Sequence, residues 1–268
     1  MTTLGRYLPF AGAGLQTLIR YRMLLFTNLA TTATTMAVMI FLWRAVFSQS
    51  SGFETAGFNE RGITTYVIAA QLLTTMQATR VSAEISNDIA RGSIAVALVR
   101  PVSYPISRFA LALPVAFANT VLVGVPVVLF FSLMFPVEPP ALKGVFLFIT
   151  AALSSLVIAF CIEMLIGTAA LLTVNTWGVG IVVGGVVSLF SGALVPVDLM
   201  PDWLAAVASA LPFQSMVYGP VNLLMGRHEG GWGALAILGQ QWMWAVIMVV
   251  LCTVAWRWAL AKIEVQGG

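Results

Sequence analysis

Charge is what this chain has least of. Only 9% of its 268 residues are Asp, Glu, Lys or Arg, against 60% hydrophobic, and the mean hydropathy is +0.96. A soluble domain carries roughly 25% charged residues. A chain this poor in charge cannot solvate a globular surface, so it reads as an all-α polytopic membrane protein. The scarcity is specific as well as general. There are two lysines, Lys143 and Lys262, followed by Gly144 and Ile263. A phosphate-binding P-loop needs its lysine followed by Ser or Thr, so the chain is not an ATPase of that kind. His228 is the one histidine. A two-histidine zinc motif is thereby excluded, no metal site is expected, and His228 reads as a solvated loop residue. No Gly-x-Ser-x-Gly elbow stands between a strand and a helix, and no catalytic residue can be named. Cys161 and Cys252 both lie inside apolar runs and read as small packing groups, not as a disulfide framework. The net charge of +3 comes with no basic face, which argues against nucleic acid as a partner.

What is present is a series of apolar runs. Residues 1–22 place Leu4, Leu8, Ala11, Leu15, Leu18 and Ile19 at helical spacing, with Arg6, Gln16 and Arg20 elsewhere on the wheel. That pattern predicts a helix lying on the membrane surface, and the long apolar run begins only after Arg22, so no cleavable leader is expected. Six spans are predicted, at about 23–47, 63–79, 109–135, 145–174, 177–195 and 235–258, each read against roughly 20 residues per crossing. The second is the least apolar, with Gln71, Thr74, Thr75 and Gln77 preferring protein or a wet cavity to lipid. Pro114 and Pro126 predict a kink in the third. In the fifth, Gly180, Gly184, Ser188 and Gly192 recur every four residues, a stripe that lets another helix approach closely. Between Pro196 and Pro212 the apolar pattern breaks, and residues 196–215 are expected to form an interfacial or re-entrant segment outside the cytoplasm. With no repeat and no linker, residues 1–268 read as a single domain.

Two features stand out against this background. Glu163 is an acid inside the fourth apolar run, and a carboxylate at membrane depth is costly. It reads either as a proton, cation or substrate contact, or as a hydrogen-bonded structural group facing Gln71, Gln77 or a partner subunit. The second feature is the polar break from Arg80 to Arg108, which holds four of the thirteen basic residues and two of the ten acidic ones. Within it, residues 82–92 predict a short helix, with Ser82 as N-cap, Glu84 in the first turn and Gly92 as the stop. Ile85 and Ile89 share one face while Glu84, Asp88 and Arg91 line another. Pairing within the helix is worth only about 0.2–0.5 kcal/mol per contact, so a small apolar ridge flanked by charges suits a groove on a partner. The competing reading is an amphipathic turn lying on the lipid surface.

The run from Glu84 to Tyr104, with Arg91-Gly92 and Leu98-Val99-Arg100-Pro101-Val102-Ser103, resembles the first cytoplasmic loop of ABC-2 type transporter permeases. Phe41-Leu42-Trp43-Arg44-Ala45-Val46-Phe47 and Pro212-Phe213-Gln214-Ser215-Met216-Val217-Tyr218-Gly219-Pro220 are similar to the prokaryotic six-span branch grouped with drug exporters. The resemblance implies a permease subunit of the cytoplasmic membrane, with export as the usual direction. It implies a cytoplasmic ATPase in two copies, carrying ATP and Mg, that docks on a coupling helix formed by Glu84, Ile85, Asp88, Ile89 and Arg91. It implies a second permease chain, identical or related, in the lipid, with the second and fifth spans as candidate interface. Grouping both termini with the central loop collects nine basic residues against four on the other side, which puts both termini in the cytoplasm. The alternatives are a partner-free secondary transporter or channel using Glu163, a membrane-embedded enzyme, or a scaffold. The first lacks a paired intramembrane charge system and a visible inverted repeat.

Overall fold

A computed structural model of the chain describes residues 22–49, 58–99, 101–171, 176–228 and 230–266, and among these every regular element is helical. The surface helix expected over 1–22 lies outside the described residues, apart from Arg22. In chain order the helices are α1 (Arg22–Gln49), α2 (Glu60–Gln77), α3 (Val81–Ala90), α4 (Ser93–Val99) and α5 (Tyr104–Asn119). A π-helical turn (Thr120–Gly124) joins α5 to α6 (Val125–Met134). Then follow α7 (Leu142–Ala169), α8 (Thr176–Phe190), α9 (Asp202–Ala210), α10 (Tyr218–Met225) and α11 (Gly230–Gln266).

Four stretches are long and apolar enough to cross a membrane: Leu25–Ser48, Tyr104–Met134, Leu142–Ala169 and Gly231–Lys262. They correspond to the first, third, fourth and sixth of the expected spans. The other two differ from expectation for separate reasons. Helix α8 has 15 residues, about 22 Å at 1.5 Å per residue, short of a hydrocarbon core of about 30 Å. Helix α2 has 18 residues, but too many of them are polar. It starts at Glu60, ahead of the predicted 63, because Asn59 caps it: the Gly62 N–H donates to Asn59 Oδ1 at 2.6 Å. The polar content of α2 follows from its position, since Gly62 through Ala70 are all buried in protein. Ile63, Tyr66 and Leu73 of α2 pack in one core with Met36 and Ile40 of α1 and Ile158 and Met164 of α7. Its threonines return their hydroxyls to their own helix, Thr64 to the Glu60 carbonyl and Thr65 to that of Arg61.

The kink expected from the prolines takes the form of the π turn. Pro126 has no N–H to offer the preceding turn, and the chain widens over Thr120–Gly124 immediately before it. At the head of that turn, the Asn119 amide donates to the Ala78 carbonyl at 2.9 Å, satisfying backbone that α2 leaves open as it ends.

The segment after α8 comes to the middle of α7. Helix α9 keeps Trp203 and Val207 exposed and buries Ala208. The chain then brings Met216 beside Ser155, midway along α7. The Met216 carbonyl accepts from Ser155 Oγ at 2.6 Å and from Gln77 Nε2 at 3.0 Å. The Ser215 carbonyl accepts from the buried Gln241 of α11 at 3.4 Å. Helix α10, which no periodicity in the sequence announced, then runs back along α7. It ends so close to the first turn that a Cβ on Gly144 would stand 2.5 Å from the Leu224 oxygen. Irregular backbone can sit among spans only when protein groups meet its carbonyls, and Ser155, Gln77 and Gln241 do so here.

Candidate functional site

Helix α3 starts abruptly. Arg80, at its N-cap, has φ +57°, the left-handed region, and gives the helix no side-chain cap. Ser82, expected to cap, lies inside the first turn instead. The cap comes from another helix. Glu163 of α7 accepts from the Ser82 N–H at 2.9 Å and from its hydroxyl at 2.5 Å. A carboxylate at the positive end of a helix is favourable and meets an N–H that has no partner within the helix. So Glu163 faces α3, not Gln71 or Gln77. It also lies six residues from the end of α7, about 9 Å along the axis, nearer the helix end than the bilayer centre that its apolar neighbours suggest.

Ile85 is fully buried, a correction to the outward ridge drawn from the sequence. It rests on Gly167 of α7, where an added Cβ would lie 2.7 Å from Ile85 Cδ1 and 2.9 Å from its Cβ. Val81, also buried, sits one turn before it. Ile89 is half-buried.

The acids of α3 are held by the start of α5. Arg108 is paired with both Glu84, at 3.1 Å, and Asp88. The Tyr104 hydroxyl donates to Asp88 Oδ2 at 2.8 Å, and the Ser93 hydroxyl to Asp88 Oδ1 at 3.1 Å. The Arg108 guanidinium also lies over the Tyr104 ring at 5.0 Å. Tyr104 in turn stacks on Trp256 of α11, with centroids 4.9 Å apart and planes 8° from parallel. The sequence suggested Asp88 pairing with Arg91. In the fold Arg108 takes both acids and Arg91 stays exposed. Burial pushes the Glu84 carboxyl above its usual range, against the opposing pull of Arg108.

One helix is therefore fixed to α5 and α7, and through Tyr104 of α5 it is linked to α11. What it leaves in the open is a strip of Ala83, Asn87, Ala90 and Arg91, continued by α4, in which no residue is buried. There Val96 is 64% exposed and Val99 86%.

The remaining predicted residues separate. Gln77 lies in the core and binds Ser155 at 2.6 Å as well as Met216, while Gln71 borders a polar cleft against α1. Gly180 and Gly184 have no described residue within 4 Å of an added Cβ, so among the described residues these two are uncovered. Gly192 does not belong to it. It lies past the end of α8 at φ +83°, and its carbonyl accepts from the Tyr66 hydroxyl at 2.8 Å. Among the described residues no group of three or more His, Cys, Asp or Glu could hold a metal ion. Arg108 and Tyr104 mark the end of the polar loop in the sequence but receive no role there, and Trp256 and Gly167 are not singled out. For Arg108 the signal was available: a cation at the head of an apolar run, following two otherwise unmatched acids.

Residues 33–267 match the family described as ABC-2 family transporter protein. The chain belongs to the ABC-2 transporter family. It is a multi-pass membrane protein, and the members of this family are typically non-catalytic membrane subunits. The match covers every element described above from α2 onward and most of α1. An ABC-2 permease implies in general an ATPase partner. No curated protein matches the chain.

Proposed function

We propose that this chain is the permease subunit of an ABC exporter, worked by a separate cytoplasmic ATPase that docks on α3 and α4. The observation that carries the reading is the clamp. A load applied to α3 passes through Glu163 into α7, through Arg108 into α5 and through the Tyr104–Trp256 stack into α11. A helix that merely lay on lipid would have no use for three such ties. The docking face is the exposed strip, with Arg91 and the free edges of Glu84 and Ile89 toward the ATPase. Ile85 and Asp88 belong to the mounting. Two ATPase copies, with ATP and Mg, would close and tilt two such mounts together.

On this reading α2 and α8 complete six crossings. The nine-to-four distribution of basic residues supports a topology with both termini and α3 in the cytoplasm. The segment over 196–215 then enters from the far side. The uncovered Gly180 and Gly184 face a second permease chain, since small residues let helix backbones approach. The capping of α3 by Glu163 favours this reading over a partner-free transporter that would use the same acid.

The test is co-purification of the tagged chain with its ATPase from mild detergent. Arg91→Glu with Val96→Asp changes only exposed positions, so the chain stays folded and the ATPase is lost. An ATPase retained in full by that variant would sink the docking assignment.

A further inference from the structure

A cleft of about 340 Å³ opens between α1, α2 and the junction of α5 with the π turn. Its walls are polar in a way that lipid-facing helices seldom are. Asn28, Thr31 and Thr32 come from the N-terminal part of α1, Gln71 from α2, Asn119 from the end of α5, and Arg80 lines it as well. Thr74 and Thr75 also line it, but their hydroxyls are already returned to the Gln71 carbonyl. The side chains of Asn28, Thr31, Thr32, Gln71 and Arg80 have no partner among the described residues, so the cleft offers unused donors. Arg80 differs in this from Arg44, Arg108 and Arg227, each of which is paired with an acid. Among the described residues no acid lines the cleft. Beside it α1 presents Phe26, 70% exposed, and Leu29 outward, a surface suited to lipid chains.

We infer that this cleft binds the net-negative phosphate headgroup of a membrane lipid, entering sideways from the leaflet on the side of α3. Arg80 supplies the charge-assisted bond to phosphate, and the amides and hydroxyls take the remaining oxygens. The acyl chains stay in lipid beside Phe26 and Leu29. The site has a direct mechanical consequence. Arg80 is the N-cap of α3, and its carbonyl accepts from the Glu84 N–H at 3.1 Å, so a ligand on its guanidinium bears on the first turn of that helix. Under the docking proposed above, which this consequence alone rests on, occupancy would be felt by the ATPase. The binding itself does not depend on it.

The test is native mass spectrometry of the full chain in detergent, titrated with short-chain phosphatidylglycerol, short-chain phosphatidylcholine and inorganic phosphate. Wild type is expected to retain phosphatidylglycerol saturably. Arg80→Gln should raise the half-saturation concentration about tenfold, the effect of one charge-assisted bond. Gln71→Leu, which removes donors from the wall without touching α3, should weaken binding in the same direction, and Arg80→Lys should restore part of it. Phosphatidylcholine should bind more weakly than phosphatidylglycerol, because its choline cancels the net charge. Equal retention of the two lipids, or variants that bind as wild type does, would overturn the inference. Inorganic phosphate competing at the same concentration as the lipid would also overturn it, by showing that the free anion is the ligand. If phosphatidylglycerol is retained as expected while Arg91→Glu/Val96→Asp keeps its ATPase, the headgroup site stands and only the docking assignment falls.

Discussion

Ile85 of α3 rests on Gly167 of α7 so closely that no side chain fits between them: an added Cβ would come within 2.7 Å of the isoleucine Cδ1. The contact is what lets a helix of ten residues sit flat against a span. It also reverses the orientation that charge and apolar spacing suggested, because the isoleucine is buried against α7 while Ala83, Asn87, Ala90 and Arg91 stay exposed.

Gly167→Ala should therefore lift α3 off its seat. Overpacking of this kind costs about 1–3 kcal/mol. The measurable result is a lower melting temperature in detergent together with faster proteolysis within Val81–Val99. Ile85→Val, which removes one methylene at the same contact, should partly relieve the defect when combined with Gly167→Ala.

Removing the cap from outside the helix tests the second tie. Glu163→Ala leaves the Ser82 N–H without its acceptor and should cost about 0.5–2 kcal/mol, the range for a lost N-cap. Glu163→Gln keeps an acceptor oxygen and should recover most of the loss. If Glu163 instead carried protons or cations, Gln would be as damaging as Ala, and the assay that separates the two is thermal stability alongside transport.

The two acids gripped by Arg108 should behave differently. Asp88 accepts from Arg108, Tyr104 and Ser93, and Asp88→Asn should cost about 1–3 kcal/mol, as for charge-assisted bonds. Glu84 has its carboxyl raised, chiefly by burial, so the folded chain holds that proton more tightly than the unfolded chain. Its contribution to stability is fully present below the unfolded pKa and is lost as pH rises through the folded value. Glu84→Gln should then cost no stability near neutral pH, and wild type should gain on it as the pH falls. Melting curves of both variants between neutral pH and the ordinary carboxylate range check the sign.

Much of this architecture was legible in the sequence, and the reasons are physical. The four long apolar stretches are visible because lipid imposes length and hydrophobicity on any helix it surrounds. Helix α3 is visible through its charge pattern and Gly92, which has φ +68°. What escaped notice depends on protein replacing lipid as the environment. Helix α10 is hidden because its eight residues cross nothing, whereas α2, polar because its neighbours are helices, is expected from the sequence over 63–79. Glu163 drew attention as an intramembrane acid, yet its partner Ser82 lies 81 positions away and no local spacing links them. The Arg108–Asp88 pair, across 20 positions, is of the same kind.

The Met216 turn gives a further check. Its carbonyl is held by Ser155 and Gln77, so Ser155→Ala should leave Gln77 as sole donor and cost about 1 kcal/mol. Ser155→Ala with Gln77→Leu should cost more than the sum of the two single changes, because only the pair leaves the buried carbonyl without any donor. A double-mutant cycle on thermal unfolding reads the coupling.

The central claim is that α3 moves with the spans it is tied to. Ala90 of α3 and Ala261 of α11 are both exposed and can carry spin labels once Cys161 and Cys252 are replaced by alanine. The measurement is the distance between those labels within one subunit, and between the Ala90 positions of two subunits, in the complex with its ATPase before and after ATP is trapped. The account predicts an unchanged distance within the subunit and a changed distance between subunits. A helix that swings alone, altering its distance to α11 while the two subunits stay as they were, would contradict it.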